Sequence, residues 1–393
     1  MERADRRYSI VLGQRMSWPD LLARARETES LGFDGLFLVD HFYGLFDLDH
    51  PTHEAYTMLA ALAPFTQSIR LGIMVAGNTY RNPAFLLKQA ITVDHVSGGR
   101  VDFGVGAGWV EREHEAYGFD FPSAKVRVDR FAEALEIWDS LQHKQRTTFD
   151  GAHYQLLDAP FQPKSLQPGG LPVLIGGSGP RMMRLIARHA DIWNGIGTPD
   201  EVAELNKRID EACAAEGRNP ATLIRSVSPS INLLASANAF LDGAEAYHAA
   251  GFQQIYFPWP RVEAEVPVLR AVARDILPQL RNQSASAGAG SSQPALEKLG
   301  TGNEKLARVA ISSLSDSTAR RVLDCLIAHP DERLDGPALM RLTGLERHRD
   351  VTRATVTLAD AFAAHGLARP WNEAQRGYLL TAETAALLSR GPE

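Results

Sequence analysis

The chain has 393 residues, enough for two domains, and 45% of them are hydrophobic, which supports a sizeable core. A net charge of −6 gives no reason to expect nucleic acid or membrane as a partner, and no apolar stretch is long enough to span a bilayer. The charged start MERADRRYSI lacks a signal-peptide form, and two cysteines, Cys213 and Cys325, do not make a disulfide framework, so a reducing cytoplasm is the expected setting.

Tyr8 to Leu12 is the first apolar run. Ser17-Trp18-Pro19-Asp20 then opens a helix, with Ser17 as N-cap and Pro19 in the first turn, and Leu31-Gly32 closes it. Asp34 to Val39 reads as the second strand and stops on Asp40-His41. A helix over Thr52 to Phe65 leads to a third strand, Ile69 to Ala76, which exits on a polar Gly77-Asn78 corner. Asn82-Pro83 starts the next helix and Ser97-Gly98-Gly99 ends it. VDFGVGAG follows as a fourth strand with a nearly bare backbone exit.

After Trp109 come Glu111 to Tyr117 and a longer helix, Lys125 to Leu141. TTFDGAHYQL reads as a hairpin insertion around Asp150-Gly151. Pro172 to Ile175 is the fifth strand and ends in Gly176-Gly177-Ser178-Gly179-Pro180, with a helix from Arg181 to His189 directly behind. Then alternate Ala190 to Asn194, the helix Pro199 to Glu216, Ile224 to Ala235, the helix Ala239 to Ala250, Gln254 to Phe257, and a last helix, Val262 to Leu280. Eight strand–helix repeats in about 280 residues are the count and size of an α/β fold of the (β/α)₈ TIM-barrel type, here assigned to residues 1–281. A doubly wound sheet would place its glycines at the first turn, whereas here they follow strands three, four and five.

Residues 282–303 shift to Ser, Ala and Gly and read as a flexible linker. In residues 304–393, helices are expected over Asp316 to Ala328, Gly336 to Leu342 and His348 to His365. A β pair over Leu367 to Leu380, turning at Asn372 to Gly377, and a last helix from Thr381 complete a small α+β, winged-helix-like domain.

Two places carry the chemistry. Gly176, Gly177, Ser178 and Gly179 lie between a buried strand and a helix, where backbone N–H groups and the helix dipole collect an anion; Arg181 and Arg184 add charge, and phosphate is the expected ligand. The alternative is a tight turn with surface arginines. Asp40-His41 ends the second strand on the same face, and a carboxylate beside a histidine can orient it for proton exchange near neutral pH. The alternative is a histidine satisfied by backbone groups. His50, His53, His114 and His143 have weaker claims, and Asp40, His41, Asp47, Asp49, His50 and His53 show no metal-ligand spacing. Trp109, His114, Tyr117, Tyr56, Tyr80 and Trp193 could wall a flat ring, although each by itself is an ordinary core residue.

DGLFLVDHF, RLGIMVAGNTYRNP, DHVSGGRVDFGVGAGW and PVLIGGSGPRMMRLIARHADIWN, in this order, resemble the luciferase-like monooxygenase superfamily over residues of about 8 to 280. More closely they resemble its branch of coenzyme F420-dependent oxidoreductases. The resemblance implies a flavin-like ring at the C-terminal strand ends, backed by a non-prolyl cis peptide at Met74-Val75, with Ala76, Gly77 and Asn78 following. It implies proton transfer at His41, and a ring edge and phosphate lined by Gly106, Ala107, Gly108 and Gly176 to Gly179. Where the sugar-phosphate dehydrogenases of that branch carry a glutamate after the strand-four glycines, this chain has Trp109, so an apolar or aromatic substrate is expected instead. The C-terminal region resembles a winged-helix-like appendage.

Three functions follow. The first is hydride transfer between F420 and a small organic substrate, with the chain as a small-molecule enzyme that could form a homodimer. The second is an FMN-dependent monooxygenase served by a separate reductase. The third is a ligand-sensing DNA-binding regulator, resting on Arg347, Arg349 and Arg353. Against it, residues 304–393 hold twelve basic and twelve acidic side chains, without the positive excess of a DNA reader.

Overall fold

The computed structural model describes residues 6–44, 51–281, 303–314, 316–345, 348–365, 367–374 and 377–389. They fall into two compact units, the larger formed by Ala4–Glu216 with Leu223–Ser284 and the smaller containing the C-terminal residues. No described helix is long and apolar enough to cross a membrane.

In the larger unit, β1 (Arg7–Val11) leads to α1 (Trp18–Ser30), β2 (Gly35–Leu38), α2 (Ala55–Leu62), β3 (Arg70–Ile73) and β4 (Ala76–Gly77). Next come α3 (Pro83–Ser97), β5 (Val101–Gly106), α4 (Glu111–Tyr117), α5 (Ala124–His143) and the antiparallel pair β6 (Arg146–Asp150) and β7 (Gln155–Pro160). The unit continues through β8 (Val173–Gly176), α6 (Pro180–His189), β9 (Ile192–Gly197), α7 (Pro199–Ala215), β10 (Ile224–Pro229), α8 (Ala237–Ala249), β11 (Gln254–Pro258) and α9 (Val266–Ala271). Neighbouring strands run in the order β3-β2-β1-β11-β10-β9-β8-β5-β4, and β3 also pairs with β5, which closes the ring. With β3 and β4 as one interrupted strand, this is an eight-stranded parallel barrel of TIM type, and all eight strand exits face one end.

Local chemistry explains the helix starts. Ser17 accepts from the Asp20 N–H, Asn82 from the Ala84 N–H, and Thr198 forms a reciprocal capping box with Glu201. Gly98 closes α3 in the left-handed conformation. Phe37, Leu174, Ile192 and Tyr256 fill the barrel's interior cluster, with the Phe37 and Tyr256 rings edge to face at 4.8 Å. The other apolar faces of strands and helices meet in the larger outer layer, to which α3 gives Leu86, Leu87, Ala90 and Ile91.

Three expectations are corrected. The seventh strand ends at Pro229, and Leu233–Ala235 is a 3₁₀ turn capped by Asn232. The last helix is expected from Val262 but starts at Val266, after a 3₁₀ turn, and runs on to 281 with a π turn over Val272–Ile276 inside it. The third strand breaks after Ile73, because the Met74–Val75 peptide is cis and the ladder resumes only at Ala76. That cis peptide stands where the family resemblance implied it.

The smaller unit contains α10 (Glu304–Ser312), α11 (Ser317–Ala328), β12 (Arg333–Leu334), α12 (Gly336–Thr343), α13 (His348–Ala363), β13 (Asn372–Ala374), β14 (Gly377–Leu379) and α14 (Ala382–Ser389). Its own apolar cluster includes Leu323, Leu358, Phe362 and Trp371. The turn expected over Asn372 to Gly377 is mostly strand, and β14 pairs with both β13 and β12 to give three antiparallel strands. A two-residue strand such as β12 is too short to register as a sequence pattern. The linker residues 282–302 and Arg347 lie outside the described residues, as do the side chains of Arg349 and Arg353.

Gly104 reports on the broken strand. A Cβ there would sit 1.9 Å from the Ile73 carbonyl oxygen, in a backbone that cannot yield cheaply. Gly104→Ala is therefore expected to lose about 3 kcal/mol of stability from overpacking. Gly179→Ala, with nothing within 4 Å of its added carbon, is expected to melt like the parent. Equal melting temperatures for the two variants would remove this account of the barrel wall.

Candidate active site

His41 follows β2 at the C-terminal end of the barrel, and its Nδ1 lies 2.9 Å from Glu113 Oε2. Glu113 stands on α4 and is fully buried. Its carboxylate also accepts the Tyr80 hydroxyl at 2.6 Å and the backbone N–H of Phe42. Burial alone would raise the Glu113 carboxyl, but the bonds from His41, Tyr80 and Phe42 outweigh it and hold it below the ordinary carboxylate range. Burial, followed by the bond to Glu113, pushes the Tyr80 phenol up, so Tyr80 remains a donor. An ionised carboxylate only accepts, so Nδ1 of His41 must carry its proton. Nε2 is thereby the ring atom left for other chemistry.

This corrects the expectation for Asp40. Its carboxylate does not orient His41. It receives both terminal nitrogens of Arg81, at 2.7 and 2.8 Å, and the N–H of Gly77 at 2.9 Å. Arg81 also binds Glu54 at 2.7 Å. Successive residues leaving a strand point in different directions, so adjacency in sequence separates Asp40 and His41 in space. The carboxylate on His41 comes from 72 residues downstream. The only sequence signal for Glu113 was a carboxylate in the short helix after the fourth strand.

Trp109 is no core residue: it is 70% exposed and presents an edge-to-face contact to the His41 ring at 5.8 Å. Tyr80 stacks on His114 at 4.6 Å, and His114 itself is satisfied by Thr79 Oγ1 and the Val110 carbonyl, both at 2.6 Å. Tyr56 is buried beneath the Arg81 guanidinium, and Tyr117 lies against Phe42 and Tyr43. Trp193 sits near the start of its strand, not its end, and its indole N–H donates to the Gly177 carbonyl at 2.9 Å. His53 Nε2 lies 3.1 Å from the Met16 carbonyl oxygen, while Asp47, Asp49 and His50 are outside the described residues.

The broken third strand and its neighbours form the second part of the site. Met74 and Val75 line the barrel interior, Ala76 and Gly77 pair with Val105 and Gly106, and the Asn78 N–H donates to the Gly106 carbonyl at 3.0 Å. A Cβ on Gly106 would stand 2.9 Å from Val75, and one on Gly108 would stand 2.6 Å from Thr79 Oγ1. These glycines thus make room for protein neighbours first. The Asn78 amide is 3% exposed, and its Oδ1 has no partner while its nitrogen donates to Tyr154. Ala107, half-buried, packs at the edge of the core.

Gly176 ends β8, Gly177 has φ +145, and α6 begins at Pro180 with Gly179 as an N-cap that offers no side-chain bond. That leaves the backbone of the turn and the positive end of the helix to face an incoming anion. Ser178 is exposed beside them. Arg181 is corrected: it turns to the Asp129 carboxylate and the Lys125 carbonyl. Arg208 reaches the turn instead, donating to the Ser178 carbonyl at 3.0 Å, and nothing in the local sequence pattern marked it.

A cleft of about 520 Å³ opens beside His41, walled by the exits of β1, β2 and β11. β2, which His41 follows, lies between β1 and β3 in the barrel. A closed parallel barrel that gathers a histidine, an ionised carboxylate and a glycine-rich βα turn at its C-terminal end defines a ligand-handling barrel enzyme. Residues 4–323 match the luciferase-like monooxygenase family, and the chain belongs to that family.

Among its relatives is an F420-dependent glucose-6-phosphate dehydrogenase from Intrasporangium calvum, 29% identical over 51% of this chain and 61% of that protein. Another is a pyrimidine monooxygenase from a Bradyrhizobium species, 30% identical over 42% of this chain and 47% of that protein. The chain spans about half to three-fifths of the length of these curated relatives. Among solved structures, an F420-dependent secondary alcohol dehydrogenase in complex with an F420–acetone adduct superposes with a TM-score of 0.62 at 18% identity. That match covers 68% of this chain and 98% of the other and establishes the likeness of fold.

The Glu113 charge has a measurable signature. Its folded pKa is lowered, so the stability it gives is present above the unfolded value of 4.5 and is lost as pH falls through the folded one. Glu113→Gln is expected to melt below the parent at pH 7, with the gap narrowing as pH falls below 4.5. A gap that stays constant across that range would mean the buried carboxylate is not ionised.

Proposed function

We propose that the chain is a coenzyme F420-dependent oxidoreductase acting on a small organic substrate with an apolar or aromatic body. The observation that carries this reading is the placement of His41, its Nδ1 committed to Glu113 and its ring in the lining of a cleft at the C-terminal end of the barrel. The residues present suit the cofactor. The partnerless Oδ1 of buried Asn78 suits an N–H donor on a ring. The uncapped turn Gly176–Gly179 suits a phosphate. When bound, the deazaflavin would supply hydride exchange at its carbon five.

In this reading Met74, Val75, Ala76 and Gly77 back the ring, and Gly106, Ala107 and Gly108 border its edge. Gly176, Gly177, Ser178 and Gly179 hold the phosphate. His41 keeps or releases a proton at Nε2, while Glu113 fixes the ring's tautomer and orientation. Asp40 acts through Arg81 and Gly77 as a positioning residue, and Trp109 keeps water from the histidine. The FMN-dependent monooxygenase is the second reading, supported by the pyrimidine monooxygenase relative. The C-terminal unit fits a winged-helix-like accessory domain, supported by helices α11 to α13 followed by antiparallel strands. Its balanced charge argues against DNA reading.

Titration of the purified chain with F420 and with FMN, followed by fluorescence, separates the two cofactors. Saturable FMN binding without F420 binding would overturn the first reading. His41→Asn is expected to bind F420 almost normally while turnover drops by about two to four orders of magnitude; unimpaired turnover would reduce His41 to a structural role.

The phosphate turn gives a further test. Gly177→Val adds a side chain at φ +145, whereas Arg181→Ala removes a group already bonded to Asp129. The first is therefore expected to weaken F420 binding by at least about tenfold, a loss of about 1.4 kcal/mol, and the second to leave it nearly unchanged. Thermal melts of both variants show whether they are folded. Wild-type affinity in a folded Gly177→Val protein would move the phosphate elsewhere.

A further inference from the structure

The cleft beside His41 has a charge pattern that the cofactor reading does not use. Arg15 on the β1–α1 connection, Arg24 on α1 and Arg261 after β11 all line it, and no carboxylate does among the described residues. Arg15 and Arg24 are half-buried, yet none of the three arginines has an ion pair with a described residue. Elsewhere at this end of the barrel the arginines are committed: Arg81 to Asp40 and Glu54, Arg181 to Asp129. Arg24 instead lies over the Trp259 ring at 5.6 Å, which fixes its guanidinium plane without neutralising it.

Half-buried guanidinium groups without counter-charges have lost part of their hydration, and a bound anion restores what was lost. A planar fork is also the donor geometry that matches a carboxylate or phosphate in two-point fashion. Much of the remaining lining is apolar or aromatic, with Val11, Leu12, Met16, Val39 and Trp259. Tyr43 is in the same wall, and its buried hydroxyl has no hydrogen-bond partner.

The geometry points to a substrate subsite for an organic anion: a carboxylate or phosphate monoester on an apolar or aromatic body. Arg15 and Arg24 hold the charged end and Arg261 guards the mouth. The Tyr43 hydroxyl supplies a neutral donor, and the body extends over Met16 and Val39 towards His41. This assignment rests on the oxidoreductase reading, since it names the substrate class of the same site. It also places recognition on the β11–β1–β2 side of the barrel, apart from the strand-three bulge and the Gly176–Gly179 turn.

The test uses the full chain and three probes of similar body: benzoate, phenyl phosphate and neutral benzamide. Calorimetric titration at low salt is expected to show the two anions binding at least about tenfold more tightly than benzamide, with the gap shrinking as salt rises. Arg15→Gln is expected to lower anion affinity about five- to twentyfold and leave benzamide unaffected, and Arg15→Lys to recover part of the loss. Arg24→Gln is the second variant, and thermal melts accompany each. F420 affinity is measured in parallel and is expected to be unchanged by either substitution.

Equal binding of the three probes by the wild-type chain would overturn the subsite. So would anion binding that is indifferent to Arg15→Gln and Arg24→Gln, or anions displaced one for one by F420. Intact F420 binding without anion preference sinks this inference alone. Anion preference without any F420 binding supports the charged cleft and overturns the cofactor reading instead.

Discussion

The close approach of the third strand to the fourth is the constraint on which the rest of the site depends. The Ile73 carbonyl points to where a Cβ of residue 104 would be, and Val75 occupies the space beside residue 106. Only glycine leaves that space. Given it, the ladder can break after Ile73 and resume at Ala76, paired with Val105. The break then aims Gly77 N–H at Asp40 and brings Asn78 against the Gly106 carbonyl. Packing in the wall therefore sets the backbone that borders the site, and a ligand profits from a surface shaped first by steric exclusion.

Charge does the second part of the positioning. Two buried carboxylates, far apart in the sequence, serve the exit of the second strand, and each is given a different task. Asp40 is neutralised by a two-point bond from Arg81, so it serves as a fixed anchor for the chain after β4. Among the described residues Glu113 has no guanidinium partner, and hydrogen bonds from His41, Tyr80 and Phe42 hold its carboxylate. A carboxylate held in that way fixes the proton on Nδ1 and leaves Nε2 as the ring's other nitrogen. The fully paired acid is a strut, and the other orients the histidine.

Much of this was legible in the sequence, for reasons tied to particular residues. The alternation of apolar runs with capped helices announced the barrel, since Ser17, Asn82 and Thr198 mark helix starts by local chemistry alone. The glycine turn at Gly176–Gly179 was legible because strand, glycines and helix are consecutive. Pairings across the fold were not. Sequence adjacency suggested Asp40 as the partner of His41, whereas the strand exit sends the two side chains apart and α4 supplies Glu113. Arg181 looked free beside its turn, but Asp129 on α5 claims it, and Arg208 arrives from α7. Each miss concerns a contact between elements far apart in the chain, which periodicity and capping do not encode.

Arg15, Arg24 and Arg261 are the clearest case of such a hidden feature, because what distinguishes them is that they form no ion pair among the described residues. In the sequence Arg15, Arg24 and Arg261 are three of many basic residues, and nothing separates them from Arg81 or Arg181. Folding sorts them: carboxylates from other elements are delivered to Arg81 and Arg181, whereas among the described residues none pairs with Arg15, Arg24 or Arg261. Half-buried arginines such as Arg15 and Arg24, without an ion pair among the described residues, carry a desolvation cost in the free state. Such a cost is sustained when something supplied from outside offsets it. His41, with one nitrogen tied to Glu113 and the other open, stands where that outside group and the bulge of strand three would meet. The histidine's dependence on both neighbours links the packing of the barrel wall to the choice of what the cleft admits.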